Sequence, residues 1–485
     1  MKLSGFWLAA LVLAGAVGLS FGIHAPLLGF YHDDWAFLEL GLRAGGFWPA
    51  VREFASAGYL SRPVEIIQFP LFIRLGGLDA SAYHGILLTL HYLSAALFFV
   101  LLRDLLGSAR LALLAAALAS IHPSSSIMRI WFASSPQTLA IALVLASLVV
   151  FQRSLDSRHK PSLFFSQALY LAGTLCYESP AFLPLLLAGG LAGKSWAQGH
   201  RLKDALLRST LSLWPYGLSL ALALVYQRFA GAALGQANPK TLGFSFSHAI
   251  KVFGAGLECL TNRAMHLCWK SVPGFWADSS MAAIGLWLAV AVIGALVLAC
   301  KEDLRGIPVR SALGAAVFGF IGAYLPYALS ATYMPQVFGF MSRTNGVGAL
   351  AGGLILALLA SLLSKQPRIQ RAFLGLVVLA FTLANWQINR EYAKLWQDQQ
   401  QLLSSVSRMS EVLPKGATIL LDQSPRQGPA LFAGHYDFSA SLRLKTKRPD
   451  LSGDLLGAPS APQGPGVFVF SEKDSIIKPL QMYTR

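Results

Sequence analysis

The chain has 485 residues, of which 55% are apolar and only 13% charged, and its formal net charge is +16. Soluble domains carry about 25% charged residues, so this composition, with a mean hydropathy of +0.54, excludes a soluble globular protein and leaves a polytopic membrane protein. The basic excess does not mark a nucleic-acid binder, because it is distributed in short clusters between apolar runs.

Those runs recur at about 20 residues, the length a bilayer demands of a helix. Spans are predicted near 4–23, 82–102, 110–128, 130–151, 161–177, 179–193, 209–227, 279–300, 311–333, 345–364 and 372–388, eleven in all. Basic residues fall in alternate connections: Arg103 and Arg110; Arg153, Arg158 and Lys160; Lys194, Arg201, Lys203 and Arg208; Lys301, Arg305 and Arg310; Lys365, Arg368 and Arg371. The positive-inside rule makes these cytoplasmic, with the N-terminus. Segments 24–81 and 228–278 and the tail from 389 then face outward, into the periplasm of a Gram-negative inner membrane. Residues 1–25 also have the charge and apolar centre of a signal peptide, but no small-x-small cleavage site precedes Asp33.

Just beyond the first span comes Tyr31-His32-Asp33-Asp34-Trp35, two adjacent carboxylates among interfacial aromatics. A base placed there would serve an enzyme acting on a lipid-borne substrate. The rest of 24–81 carries Arg43, Arg52, Arg62 and Arg74 and reads as two helices lying along the outer surface.

In the second span Tyr83 precedes His84, and His91 follows seven residues on. Seven residues at about 100° each return to nearly the same helix face. Polar side chains inside spans usually face the bundle or a wet cavity, so the two imidazoles read either as helix–helix hydrogen bonds or as the border of a site. His122-Pro123 closes the third span, Arg129 opens the fourth, and Arg343 follows an uncharged run from Ser311. Residues 161–193 have basic flanks and Glu178-Ser179-Pro180 at their centre, which fits two short spans or a re-entrant hairpin with Glu178 at its tip.

Of the four cysteines, Cys176 and Cys300 lie in spans. Cys259 and Cys268 share an outer loop but would sit about 13 Å apart on one helix, beyond disulfide reach unless a turn intervenes. The tail begins with a helical pattern over 391–412, followed by strands at 416–422 and 466–470. About 95 residues suffice for a small α/β domain, either lidding the cavity or binding the acceptor. His435-Tyr436-Asp437 reads as a loop that could join the acceptor site. The chain thus divides into a catalytic membrane region, 1–388, and an outer α/β domain, 389–485.

The ordered set Asp33-Asp34, Arg62-Pro63, Tyr83-His84, His91, His122-Pro123 and Glu178 resembles the GT-C superfamily of membrane glycosyltransferases. The similarity is greatest to the branch holding tetratricopeptide-bearing O-mannosyltransferases and related bacterial enzymes. It departs from that branch at Leu87, where relatives tend to have asparagine, and in Ser124-Ser125-Ser126, where they tend to have glutamate.

The resemblance implies a GT-C-like helical membrane fold and transfer of a sugar from a polyprenyl-phosphate carrier to a glycan, lipid or protein acceptor. It implies inversion at the anomeric carbon, with membrane lipids and no nucleic acid as surroundings. Asp33 would be the general base, and Asp34 would orient the acceptor or hold a divalent cation such as Mg²⁺ or Mn²⁺. Arg62, with His84, Arg129 and Arg343, would bind the donor phosphate; Tyr83, His91, His122 and Glu178 would line the cavity. Two other classes fit the hydropathy: a polymerase or ligase of lipid-linked glycans using a diphosphate carrier, and a transporter or flippase. The latter commonly shows internal repeats and midplane charges, whereas here ionisable residues gather at span ends.

Overall fold

The computed structural model describes residues 3–157, 160–233, 245–275, 289, 292–294, 309–330, 333–423, 430–458, 466–471 and 476–479. The chain is mostly helical. Helices α1 (Leu3–Val17), α2 (Asp34–Arg43), α3 (Phe47–Ser56), α4 (Glu65–Gly76) and α5 (Ala80–Leu106) come first. They are followed by α6 (Ala109–Ser120), α7 (Ile127–Ile130), α8 (Ser135–Ser157), α9 (Lys160–Cys176), α10 (Pro184–Ala197), α11 (Leu202–Ser212) and α12 (Trp214–Ala233). The series ends with α13 (Phe246–Leu260), α14 (Asn262–Phe275), α15 (Val309–Ala328), α16 (Gly346–Leu362), α17 (Pro367–Ser410) and α18 (His435–Thr446).

Among the described residues six helices are long and apolar enough to cross a membrane: Trp7–Leu27, Ala80–Leu106, Phe132–Leu155, Val309–Ala328, Phe340–Leu362 and Pro367–Ser410. Helices α11 and α12, bent by 49° at Leu213, make a seventh if taken as one span. The protein is an integral membrane protein. The predicted span 279–300 lies almost wholly outside the described residues.

One predicted span is shortened, the two short elements around Glu178 are present, and the first connection gains a helix. The predicted span 110–128 stops as a helix at Ser120, because proline has no N–H to donate and holds the preceding residue extended; His122 has φ −65° and ψ 121°. The carbonyls exposed by that stop are capped by Arg129, which donates to Ser120 O at 2.8 Å and His122 O at 3.3 Å. Helices α9 and α10, of 17 and 14 residues, are the two short elements expected on either side of Glu178. Segment 24–81 holds three helices rather than two. Gly45 and Gly58, at φ +74° and +104°, make the extra turns in a region glycine enters without strain.

Small residues bring helices close where lipid offers no competing hydrophobic drive. A Cβ on Gly189 of α10 would stand 2.2 Å from the carbonyl oxygen of Gly314 in α15, so that crossing admits only glycine.

A second core lies at one end of the bundle. It joins Phe30, Trp35, Phe37 and Phe69 of the first connection with Trp131 and Phe132, Tyr392 and Leu402 of α17, and Phe438 and Leu442 of α18. Helix α17 runs unbroken for 44 residues, so the last span and the first helix of the tail are one element. Beyond it, strands β1 (Thr418–Asp422), β2 (Ser452–Leu455), β3 (Val467–Ser471) and β4 (Ile476–Pro479) form a sheet of order β2-β1-β3-β4. The β1 pairings are parallel, with Ile419 opposite Gly453 and Phe468, and β4 is antiparallel to β3.

Candidate functional site

The two adjacent carboxylates part company at the start of α2. The Asp34 carboxylate turns inward and accepts backbone N–H bonds from Tyr31 at 2.9 Å, Ala133 at 2.7 Å and Phe132 at 3.4 Å. It is fully buried, and burial drives its acidity well away from the ordinary carboxylate range, toward the protonated form, against those three donors. The Tyr31 hydroxyl fixes the same turn by donating to Tyr392 O at 2.8 Å and accepting from Gly29 N at 2.9 Å. The chain then passes His32 at φ +51°, a left-handed conformation uncommon for any residue but glycine and frequent at functional sites.

That kink sets Asp33 at the N-cap of α2 without a capping hydrogen bond from its side chain. Its carboxylate is half-buried and lies beside the phenol of Tyr436, at the start of α18. Tyr59 and Asp437 lie within electrostatic reach of it. The neighbouring His32 ring packs edge-on against Trp131 at 5.6 Å and tilted against Phe340 at 5.4 Å. Burial lowers its proton affinity; Asp33 opposes that shift and Arg343 reinforces it.

Arg343 closes the other side. Its guanidinium lies over Trp131 at 5.1 Å, Tyr333 at 5.7 Å and Phe340 at 5.9 Å. Aromatic faces hold a cation without neutralising it, and among the described residues this guanidinium makes no ion pair.

The other predicted phosphate binders are engaged elsewhere. Arg62 forms a bidentate pair with Glu178, Nε to Oε1 at 3.0 Å and Nη2 to Oε2 at 2.9 Å, and a third contact with Glu65 at 3.3 Å. Those carboxylates, with the Tyr177 ring 4.4 Å beneath, hold its charge firmly against the cost of burial. Arg62 and Glu178 therefore brace the wall of the site. Arg129 is buried against carbonyls and the Asn385 side chain, 2.9 Å away, with no route to a phosphate.

His84 is buried, with Nε2 at 3.0 Å from Gly29 O, and does not border the site. His91 pairs with Ser120 O at 3.1 Å beside a cavity of about 40 Å³, and His122 with Leu260 O at 3.2 Å. The Tyr83 hydroxyl donates to Gly77 O at 2.8 Å while its ring packs on Phe132. All four cross-link elements around the site rather than lining it.

A divalent cation finds a poor set of ligands here. Hard cations need several free oxygens, and three backbone N–H groups occupy those of Asp34 while three more occupy those of Asp437. Among the described residues no three His, Cys, Asp or Glu side chains converge as a metal site, which leaves Asp34 an anchor of the turn. Cys176, Cys259 and Cys268 are buried free thiols.

Sequence reasoning missed the aromatic box around Arg343 and the part played by Tyr436. The triplet His435-Tyr436-Asp437 opens α18 instead of forming a loop, because Asp437 accepts from the Ala433 and Gly434 N–H groups and caps the helix.

No family model matches the chain. The chain is similar to the protein O-mannosyl-transferase Tmtc1 of Drosophila melanogaster, 29% identical over 192 residues. That stretch covers 36% of this chain and 22% of the relative's own length. Crystal structures of ArnT from Cupriavidus metallidurans, one bound to undecaprenyl phosphate and one in the apo state, are similar at TM-scores of 0.40 and 0.37. Their identities are 15% and 16%, over 93% of this chain and 86% of each ArnT chain. The Tmtc1 similarity bears out the resemblance to GT-C membrane glycosyltransferases drawn from the sequence.

Proposed function

We propose that the chain is a membrane glycosyltransferase that takes a sugar from a polyprenyl-phosphate carrier at the outer face and passes it to an acceptor with inversion. The observation that carries this reading is one half-buried carboxylate, Asp33, and one guanidinium that makes no ion pair among the described residues, Arg343, both within electrostatic reach of His32. The nearby carboxylates Asp34, Glu65, Glu178 and Asp437 are consumed by backbone N–H groups or by Arg62.

In the reaction the acceptor oxygen attacks the anomeric carbon while Asp33 takes its proton. The bond from that carbon to the phosphate oxygen breaks, and its electron pair stays with the phosphate. Arg343 meets the developing charge with up to two parallel hydrogen bonds. The Arg62–Glu178 pair keeps the wall in place. The outward side follows from the distribution of basic connections.

The test is release of polyprenyl phosphate by the purified full chain from a panel of synthetic polyprenyl-phosphate hexoses and pentoses. Asp33→Asn is expected to reduce it at least about a hundredfold with folding intact. Normal turnover in that variant overturns the assignment of the base. Movement of the carrier across proteoliposomes with no bond cleaved overturns the enzyme reading in favour of a transporter.

A further inference from the structure

The tail does more than cover the membrane region. Tyr436 and Arg443 are seven residues apart on α18, two turns on one face and about 10 Å along the axis. That face lies against α2. Arg443 grips Glu39 bidentately, through Nε to Oε1 and through Nη2 to Oε2 at 2.7 Å. Lys445 lies over the Trp35 ring at 5.9 Å and donates to Gln400 of α17 at 2.9 Å. These contacts clamp α18 against α2, with Tyr436 beside Asp33 at the start of both helices.

We infer that the tail supplies a positioning residue to the active site: Tyr436, aimed by the Arg443–Glu39 pair, holds one oxygen of Asp33 so that the other faces the acceptor. This rests on the reading of Asp33 as base. A neutral phenol suits the task, since it donates one hydrogen bond, cannot compete for the acceptor proton, and stays protonated because burial and Asp33 both oppose its ionisation. The other groups facing Asp33 are His32 and Asp34 from its own turn, Tyr59 from the turn before α4, and Asp437 from α18. None of these is described as donating to it.

The experiment compares Tyr436→Phe with the unsubstituted full chain, using the donor that supports turnover. Loss of the Tyr436 hydroxyl predicts a fall in kcat of about tenfold with little change in donor KM. Glu39→Gln should lower kcat in the same way, and the charge-reversed pair Glu39→Arg with Arg443→Glu should recover it, a rescue that general loss of folding would not give. If Tyr436→Phe keeps full kcat while Asp33→Asn is inactive, the inference falls and the base assignment stands. If Asp33→Asn is itself active, the underlying reading falls instead.

Discussion

Asp34 accepts the backbone N–H of Ala133 at 2.7 Å across 99 residues of chain, so one buried carboxylate ties the turn after the first helix to the turn before α8. Its neighbour Asp33 is thereby aimed without being touched. Asp34→Ala leaves three backbone donors without a partner and should destabilise the fold by about 3 kcal/mol. Asp34→Asn, which keeps an acceptor oxygen, should cost less. Thermal unfolding in detergent checks both, and Asp34→Asn should retain measurable turnover where Asp33→Asn does not.

The two arginines should separate by phenotype. Arg343→Gln removes the charge facing the leaving phosphate and should lower turnover about a hundredfold at near-normal stability. Arg62→Gln removes the guanidinium that Glu178 and Glu65 share, and should cost about 2 kcal/mol of stability, a figure reduced because solvent reaches Glu178. If Arg62→Gln kept full stability but lost donor binding, the bracing role would be refuted.

Acidity offers a third test. Burial raises the Asp437 carboxyl to about 7, opposed by the N–H groups of Ala433, Gly434 and Phe438 and helped by the charge of Asp33. A carboxyl raised in the folded state stabilises fully below its unfolded value of about 4, and that contribution is lost as pH rises through about 7. The unfolding midpoint should therefore fall between pH 4 and 8, and Asp437→Asn should fall less across the same window. Asp34 acts in the same sense, so the measurement is the difference between the two chains.

A chelator should leave turnover unchanged, since among the described residues the carboxylates around Asp33 already hold backbone N–H groups or Arg62. Loss of activity in EDTA, restored by Mg²⁺ or Mn²⁺ alone, would contradict this.

Much of the fold could be read from hydropathy, because in a membrane an apolar run of sufficient length has few other states open to it. The exceptions had local causes: Pro123 ends α6 early, and glycines at 45 and 58 divide the first connection. The pair Asp33-Asp34 also stood out in the sequence. Which of the two turns inward did not, because that depends on Phe132 and Ala133, about a hundred residues away. The ranking of arginines went astray for the same reason. Nothing near Arg62 announces Glu178, 116 residues later, and nothing near Arg343 announces Trp131. Helical periodicity did show His84 and His91 on one face, but not that backbone carbonyls would satisfy both.

Helix α17 is 44 residues long, about 66 Å, more than twice the hydrocarbon thickness of a bilayer. It has no hinge where the last span gives way to the tail, so any lean of that span swings the sheet and α18 as a rigid lever. Tyr436 rides at the far end of that lever, and bilayers of different thickness should thus change its grip on Asp33 and tune turnover with no contact between lipid and the reacting atoms.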